Sequence, residues 1–417
     1  MLAVNGGPKA FTGQLPTWPI FGKEEEEGLL KALHSGHWGR QEGDSVVAKF
    51  EQRFAEAHDC KYGVACTNGT VALKLACMAV GVEAGDEVIV TPFTFLATAS
   101  AVIEANATPI FADIEPDTYN IDPKSVEKLI TPRTKAIIPV HLGGLPVNLD
   151  AIMAIAKKHG LRVIEDCCHA HGAKYKGKSV GSYGDIGVFS FQSSKNMSCG
   201  EGGALVTNDK ELHHLLFSFH NCGREPGHPW YRHFRAGGNY RLSEFVGAIL
   251  QAQLDRLEDQ TSRRDANGRY LASLLEKIPG LKTQAISADV TRHAYHLFVI
   301  RYDASVYGVP REVLVDAAKA EGIPLALGYP IALYQQPMFR EAVFGPFTGC
   351  FIDHPKLDYK QTKCPVCDNA CANEALWLLH QNLLGDKSQM DAIAAVFQKL
   401  YDNRGELAEF AAQKAKA

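Results

Sequence analysis

Lys195 is the residue in this sequence best placed for covalent chemistry. It ends the run Phe189–Lys195, in which a short apolar stretch is followed by small hydroxyl residues. A lysine amine in such a place can form an imine with a carbonyl group, and a nearby cationic ring would lower its pKa and favour attack. A solvated surface position is the usual alternative for any single lysine. The prediction for Lys195 therefore depends on its neighbours.

An acidic residue and a histidine follow a second apolar run, Val163–Glu165. Asp166 stands where this run ends, and His169 comes three residues later. A carboxylate at a buried strand end is costly unless it is paired. A protonated pyridine nitrogen would pair with Asp166 and stay cationic as an electron sink, and His169 can bond the ring's phenolic oxygen or lie over the ring. The alternatives are a helix cap and a satisfied core histidine.

Two further segments follow strand-like runs and suit a flat, phosphorylated ligand. Gly69 and Thr70 stand where a strand passes into a helix, and backbone N–H groups at a helix N-terminus bind phosphate. An ordinary capped turn is the alternative. Either Phe93 or Phe95 can stack on a ring, and the other is then a core residue.

The elements that must position these residues alternate between strands and helices. The predicted strands are Tyr62–Cys66, Glu87–Thr91, Pro109–Ala112, Thr134–Val140, Arg162–Glu165, Ile186–Ser190 and Ala204–Thr207. The predicted helices between them are Thr70–Val80, Thr98–Asn106, Pro123–Ile130 and Leu149–His159. This alternation is typical of an α/β domain with a mainly parallel seven-stranded sheet. Ligands of such sheets bind at the carboxyl ends of the strands.

The pattern changes after Arg241, which indicates a second, smaller α+β domain. A long helix, Leu242–Leu275, is predicted to lead into it. Its predicted elements are a strand at His296–Arg301, a helix at Pro310–Glu321, an irregular loop at Gly345–Asp353 and a final helix at Ser388–Leu400. The tail after Glu406 is expected to be peripheral. We place the large domain at residues 1–255 and the small domain at residues 256–417.

Composition limits the class of protein. The 417 residues are 46% hydrophobic and 22% charged, with a net charge of −4, so a nucleic-acid surface is not expected. The N-terminus has no apolar signal core, and no run approaches the roughly 18 apolar residues of a membrane span. The 11 cysteines are scattered, which favours reduced thiols. A cytoplasmic enzyme without a membrane partner is expected.

One cysteine cluster allows a metal alternative. Cys364 and Cys367 have zinc-ribbon spacing, and Cys371 and Cys350 lie near them, so three or four thiolates could close a tetrahedral site. Cys367 and Cys371 are also one helical turn apart, as buried thiols would be. Because no second CxxC pair is present, we expect no metal.

Taken in order, these segments resemble the DegT/DnrJ/EryC1/StrS family, the sugar aminotransferases of the fold-type I pyridoxal-phosphate enzymes. The resemblance runs from Trp18 to at least Leu257. It is carried by Thr67–Thr70, Gly85–Val90, Asp117–Asp122, Thr131–Ala136, Pro139–Leu142, Glu165–Gly172, Phe189–Lys195 and Gly238–Leu242. It implies an aspartate aminotransferase-like fold and pyridoxal 5'-phosphate as cofactor.

Carried over position by position, the resemblance implies roles for individual residues. Lys195 would form the Schiff base with the cofactor and act as general base when freed, and Asp166 would partner the pyridine nitrogen. The other implied cofactor contacts are Gly69, Thr70 and Ser190 at the phosphate, Phe95 against the ring, and Asn239 from the neighbouring subunit. A homodimer with shared active sites follows from the last of these.

His169 departs from the commonest family pattern, in which glutamine stands at this position. With Gly200–Gly203 and Glu374–His380, it resembles a branch containing glutamine:scyllo-inosose aminotransferases and 3-amino-5-hydroxybenzoate synthases. The implied reaction moves an amino group from L-glutamine or L-glutamate to a keto-cyclitol or keto-sugar. A dehydrating, aromatising lyase and a non-catalytic protein that binds pyridoxal phosphate are the alternatives.

Overall fold

The computed structural model describes residues 1–40, 45–349 and 357–414. Polar caps start several helices: Asn68 accepts a hydrogen bond from the Val71 N–H, and Ser243 accepts one from the Val246 N–H, which satisfies otherwise free helix donors. The helices are α1 (Lys23–Ser35), α2 (Val46–Ala57), α3 (Gly69–Ala79), α4 (Ala97–Glu104), α5 (Pro123–Leu129), α6 (Leu149–His159), α7 (Lys210–His220), α8 (Glu244–Leu275), α9 (Ala304–Tyr307), α10 (Arg311–Ala320), α11 (Pro337–Arg340), α12 (Pro365–Asn369), α13 (Lys387–Asp402) and α14 (Arg404–Lys414). No helix among the described residues combines the length and the apolar character needed to cross a membrane.

The strands form three sheets. They are β1 (Tyr62–Cys66), β2 (Glu87–Val90), β3 (Thr108–Phe111), β4 (Thr134–Ile138), β5 (Arg162–Asp166), β6 (Lys174–Tyr175), β7 (Lys178–Ser179), β8 (Ile186–Ser190), β9 (Gly203–Thr207), β10 (Leu281–Thr283), β11 (Val290–Arg292), β12 (Leu297–Tyr302), β13 (Ala326–Leu327) and β14 (Ala375–Leu379). The largest sheet has the order β1-β9-β8-β5-β4-β2-β3, and the others are β10-β12-β14-β13 and β11-β6-β7.

The predicted mainly parallel, seven-stranded sheet is confirmed. Six of its strands run parallel, and β9 alone pairs antiparallel with its neighbours β1 and β8. Both faces are covered by apolar side chains, as neighbouring residues of β2 illustrate. Val88 and Val90 belong to one core cluster and Ile89 to another, because successive side chains of a strand point to opposite faces.

One face of the four-stranded antiparallel sheet packs against α10 and α13. This cluster is separate from the two that cover the large sheet, and we call it the second core. Leu2 and Phe11 are buried in this core too, so the first residues pack with the C-terminal part of the chain. Helix α8 runs without interruption past residue 255 and contacts both α2 and α13. The division of the chain at residue 255 therefore stays a prediction.

The C-terminal region differs from the sequence-based expectation in two ways. The expected peripheral tail forms α14, and its Leu407 is completely buried against the second core. Strands β10, β11, β13 and β14 were not predicted, because each has at most five residues and pairs with a strand from another segment of the chain. The predicted loop Gly345–Asp353 lies partly outside the described residues and Cys350 lies wholly outside them, so neither prediction is tested.

Candidate active site

The carboxyl ends of the parallel strands open into a cavity of about 650 Å³. The four-stranded sheet and the segments next to its strands supply the opposite wall. It is lined by Asn68, Gly69, Thr70, Leu73, Thr94, Phe95, Ala97, Thr98, Val140, Asp166, Cys168, His169, Ser190, Gln192, Ser194, Lys195, Glu201, His296, Leu297, Tyr329, Trp377 and Leu379. A crevice at these strand ends is where ligands of open α/β sheets bind.

Gly69 and Thr70 form one end of the cavity, at the N-terminus of α3. The first N–H groups of a helix lack partners within the helix and, with the helix dipole, favour an anion. A Cβ atom on Gly69 would lie 2.7 Å from the Ser190 Cβ and 3.1 Å from its Oγ. Because Gly69 has no side chain, the helix terminus and the Ser190 hydroxyl lie close together. An anion beside them could accept hydrogen bonds from both, which suits a phosphate.

Replacing Gly69 with alanine should weaken cofactor binding. The added methyl must push Ser190 away or displace the helix terminus, and overpacking of this kind costs about 1–3 kcal/mol. We expect the cofactor dissociation constant to rise about tenfold or more in a titration of apoenzyme. Gly405→Ala is the matched control, since a Cβ there meets nothing within 4 Å. Equal affinities for Gly69→Ala and Gly405→Ala would contradict a phosphate site here.

Asp166 closes β5 and is held by a chain of hydrogen bonds. Thr98 Oγ1 donates to Asp166 Oδ2 at 2.8 Å, and the Cys168 N–H donates to Oδ1 at 3.1 Å. Thr94 Oγ1 lies 3.1 Å from Thr98 Oγ1 and donates to it, because the Thr98 proton is already committed to Asp166. The carboxylate is almost fully buried yet faces the cavity. It is thus fixed in place, and no cation among the described residues lies within ion-pair distance of it.

Lys195 lies in the connection between β8 and β9. Burial lowers the pKa of its amine below the usual lysine value, although Cys168 and Asp166 act in the opposite direction. No carboxylate among the described residues forms an ion pair with Lys195, and its amine borders the cavity. An unpaired, half-buried amine with a lowered pKa is suited to attack a carbonyl carbon.

His169 and His296 lie together on one side of the cavity. Their rings are 4.4 Å apart between centroids and inclined by 30°. Burial, with Lys195 next, holds the pKa of His169 well below its usual range, and burial does the same for His296. Both imidazoles are therefore neutral near pH 7. The Nδ1 atom of His169 has no hydrogen-bond partner among the described residues.

The two phenylalanines after β2 have different environments. Phe95 lines the cavity and is 62% exposed, whereas Phe93 is completely buried beside Tyr119 and Tyr329. This is the arrangement expected if Phe95 stacks on a ring and Phe93 is a core residue. Asn239 is exposed and is not among the cavity-lining residues. The roles of both Phe95 and Asn239 stay predictions.

Sequence reasoning missed the wall that the four-stranded sheet contributes. Its residues are His296 and Leu297 from the β12 region, Tyr329 after β13, and Trp377 and Leu379 in β14. Burial raises the pKa of Tyr329, with Asp166 adding to the shift, so its hydroxyl stays a hydrogen-bond donor. The sequence does not indicate that these residues line one cavity, because they come from three separate segments that meet only in the folded protein. Thr98 was also missed, although its hydroxyl is the one that bonds Asp166.

None of the three described cysteines of the cluster is among the cavity-lining residues. Cys364, Cys367 and Cys371 are buried, and the Cys367 and Cys371 sulfurs are 4.0 Å apart. None of the described cysteines forms a disulfide. The fourth candidate ligand, Cys350, is outside the described residues, so the expectation of no metal stays untested.

One other group of possible metal ligands is fully buried. It consists of His141, Glu165 and Cys167. Both oxygens of Glu165 are already occupied: His141 Nε2 and the Gly181 N–H bond one, and the N–H groups of Tyr183 and Gly184 bond the other. This carboxylate therefore has a structural role, in which it ties β5 to the turn before β8.

The chain belongs to the DegT/DnrJ/EryC1/StrS aminotransferase family, whose model matches residues 19–397. It is 37% identical to a putative L-glutamine:3-amino-2,3-dideoxy-scyllo-inosose aminotransferase from Streptomyces kanamyceticus, over 97% of this chain and 98% of that protein. An L-glutamine:2-deoxy-scyllo-inosose aminotransferase from Micromonospora echinospora is also 37% identical, over 98% and 99%. A crystal structure of 3-amino-5-hydroxybenzoic acid synthase superposes with a TM-score of 0.85 and 35% identity, covering 94% of this chain and 99% of that one.

The chain is thus an enzyme of the pyridoxal-phosphate-dependent aminotransferase type with the fold-type I architecture. The residues that line the cavity also fit that cofactor, independently of the family match. Its donors and acceptors are an amine without a partner at Lys195, a buried carboxylate at Asp166, and a glycine-bordered helix terminus at Gly69. An aldehyde, a pyridine nitrogen and a phosphate are the three groups that these residues complement.

Proposed function

We propose that this enzyme moves the amino group of L-glutamine or L-glutamate to a ketone on a cyclitol or sugar, with Lys195 as covalent anchor and proton carrier. The observation that carries the proposal is the Lys195 amine, unpaired, with a lowered pKa, in the same cavity as Asp166 and Gly69. The amino donor and the acceptor class are inferred from the names of the related aminotransferases.

When bound, pyridoxal phosphate supplies an aldehyde that takes up the amino group and a ring that takes up the electron pair of the broken C–H bond. Asp166 would pair with the ring nitrogen, because its buried carboxyl group has only the neutral donors of Thr98 and Cys168 for partners. Such a pair would favour electron withdrawal by the ring. Thr98, itself bonded to Thr94, keeps the carboxylate in the required orientation.

Lys195 has two successive tasks. Its Nζ would hold the cofactor's aldehyde carbon until the donor's amino group takes its place. The freed Nζ would then accept the proton from the donor's α-carbon and carry it to the cofactor. With the acceptor ketone, the same Nζ would carry a proton in the opposite direction. Burial favours the neutral amine that this proton transfer needs.

His169 and the phosphate end of the cavity complete the cofactor site. The neutral imidazole of His169 would contact the ring or its phenolic oxygen, and its lowered pKa keeps it from adding a positive charge. Gly69, Thr70 and Ser190 would hold the phosphate. These residues would keep the cofactor in place while the Lys195 side chain moves.

We propose a homodimer in which each active site includes the partner's Asn239 at the phosphate. Three observations support this arrangement. Phe95 is largely exposed although it borders the cavity, and Asn239 is exposed but does not line it. Lys195 is also the only lysine or arginine among the described cavity-lining residues, so a donor carboxylate needs a further cation.

The proposed location is the cytoplasm, in keeping with free thiols at the described cysteines.

The acceptor side of the cavity suits an uncharged polyol. Trp377 and Leu379 give it apolar faces, and the Tyr329 hydroxyl and the Glu201 carboxylate give it hydrogen-bonding groups. Such a mixture of flat apolar and polar groups fits the faces and hydroxyls of a cyclitol ring. A phosphate or nucleotide on the acceptor would need further cations.

A half-reaction experiment tests the proposal. Holoenzyme mixed with L-glutamine or L-glutamate alone should lose the visible absorbance of the lysine-linked cofactor and release one equivalent of the 2-oxo acid. Addition of scyllo-inosose, a keto-hexose or a nucleotide-linked keto-sugar should restore the absorbance when the acceptor is right. Unchanged absorbance with every amino donor would reject the transaminase function.

The lyase alternative remains because 3-amino-5-hydroxybenzoic acid synthase has a similar structure. A dehydrating lyase would use Lys195, Asp166 and His169 in the same places. The half-reaction experiment separates the two functions, because a lyase needs no amino donor and releases no 2-oxo acid.

A further inference from the structure

The connection between β8 and β9 holds Lys195 by local bonds that do not fix it to the rest of the protein. The Lys195 N–H donates to Gln192 O at 2.8 Å. The Gln192 side-chain oxygen accepts from the Ser194 N–H at 2.9 Å and from its hydroxyl at 2.7 Å. These contacts define a turn, but they join only residues 192–195 to one another. Contacts with other elements are needed to hold the turn in one position relative to the rest of the protein.

Two side chains from distant parts of the chain supply that anchor. Trp18 Nε1 donates to Ser193 O at 3.0 Å, and His380 Nε2 donates to Ser194 O at 3.0 Å. The carbonyls of the two residues before Lys195 are therefore both bound. Because a carbonyl can only accept, the His380 proton is on Nε2, and its Nδ1 is buried without a partner among the described residues.

The two anchoring rings support each other. Trp18 and His380 pack edge to face, with ring centroids 4.6 Å apart and planes at 86°. The buried Arg264 guanidinium lies 5.3 Å from the centroid of the Trp18 ring, a cation–π contact. Burial, and next Arg264, hold the pKa of His380 well below its usual range. His380 therefore stays in its neutral form at neutral pH.

The residue after Lys195 is held as well. His296 Nδ1 donates to Asn196 Oδ1 at 3.0 Å, since the Asn196 amide nitrogen is committed to Ala294 O at 2.7 Å. His296 in turn packs on His380, with ring centroids 5.7 Å apart. The lysine thus stands between two anchored positions, with its own side chain left free to move.

We infer that Trp18 and His380 are positioning residues for Lys195, acting through the carbonyls of Ser193 and Ser194. The inference rests on the proposed role of Lys195 as anchor and proton carrier. In that role the amine must leave the cofactor and return to the same place in every cycle. A loose loop would spread the amine over many positions, and misplacement of a reacting group slows the proton-transfer step.

The arrangement also links the lysine to the acceptor wall. His380 directly follows β14, whose Trp377 and Leu379 line the cavity. A movement of β14 on binding an acceptor would therefore reach the Ser194 carbonyl through one side chain. The same bond that positions Lys195 thus ties it to the second core.

The test removes each donor with little change of shape. Trp18→Phe keeps an aromatic ring but loses the N–H, and His380→Leu loses its donor. His380→Gln keeps a donor near the Nε2 position. Trp38→Phe is the matched control, because Trp38 Nε1 donates at 3.1 Å to Leu33 O, a backbone carbonyl in α1.

Two readouts are needed, both on holoenzyme. One is the single-turnover rate of the half-reaction with L-glutamine or L-glutamate, and the other is the pH midpoint of the absorbance of the lysine-linked cofactor. We expect Trp18→Phe and His380→Leu to slow the half-reaction about tenfold, the effect of losing one hydrogen bond, and to shift the midpoint. His380→Gln should recover most of the rate, and Trp38→Phe should match wild type.

The inference is overturned if folded Trp18→Phe keeps both the wild-type rate and the wild-type midpoint, or if Trp38→Phe is equally impaired. If His380→Leu does not fold, Trp18→Phe alone decides. Failure of the proposed function would look different, because wild-type holoenzyme would then show no absorbance change with L-glutamine or L-glutamate, whatever the pH midpoints of these variants are.

Discussion

The Lys195→Ala enzyme should still bind pyridoxal phosphate but lose turnover by at least about 10³-fold, since it lacks both nucleophile and general base. The phosphate cradle at Gly69 and the carboxylate at Asp166 do not depend on the lysine side chain, so cofactor affinity should persist in part. The visible absorbance of the covalently held cofactor should be replaced by that of the free aldehyde. Steady-state kinetics and an absorbance spectrum check both expectations.

Lys158→Ala is the matched control for this variant. Lys158 is an exposed lysine of α6 that pairs with Glu127 and is not among the cavity-lining residues. Its replacement should leave turnover and spectrum unchanged. If Lys195→Ala retained wild-type transamination, the assignment of the site would be wrong as a whole.

The second large effect is expected for Asp166→Asn, with a loss of about 10² to 10³-fold in kcat. The amide keeps the shape of the carboxylate, but it cannot hold a pyridine nitrogen in the protonated form. Loss of one preorganised electrostatic group in an enclosed site has an effect of this size. Single-turnover absorbance measurements should show the proton-removal step slowed, while the covalent link to Lys195 still forms.

Asp150→Asn serves as the control for charge removal. Asp150 is an exposed residue of α6 in an ion pair with Lys176. A rate reduction confined to Asp166→Asn supports its proposed role at the ring nitrogen. Equal rates for Asp166→Asn and wild type would assign the carboxylate to a structural role instead.

Much of the large domain could be predicted because its signals are local. Strand β1 and helix α6 have the bounds that the sequence predicts. The apolar periodicity of α6 is bounded by Asn148 before its first residue and by Gly160 after its last. Parallel strands place their carboxyl ends at one edge of the sheet. Residues that follow different strands, such as Gly69, Asp166 and Lys195, therefore had to meet there.

The rest depended on contacts between distant segments. Tyr329 and Trp377 border the cavity because short strands of the four-stranded sheet pair in the order β12-β14-β13, and no spacing in the sequence encodes that pairing. The tail after Glu406 is rich in alanine and lysine, yet Leu407 anchors it as α14. One buried leucine is too weak a signal to predict a packed helix.

Trp18 shows the same limit at the active site itself. It lies 177 positions before Lys195 in the chain numbering, and only the folded protein brings its indole N–H to Ser193 O. Sequence motifs identify residues that bind a ligand directly. Residues that act through another residue's backbone leave no such mark.

The central claim is that Lys195 holds the cofactor covalently, and one measurement tests it most directly. Holoenzyme is reduced with borohydride, which makes a lysine–cofactor link permanent, and digested peptides are analysed by mass spectrometry. We predict that the cofactor's mass is found on the peptide containing Lys195 and on no other lysine peptide. A modified peptide that lacks Lys195, or no modified peptide from active holoenzyme, would contradict the claim.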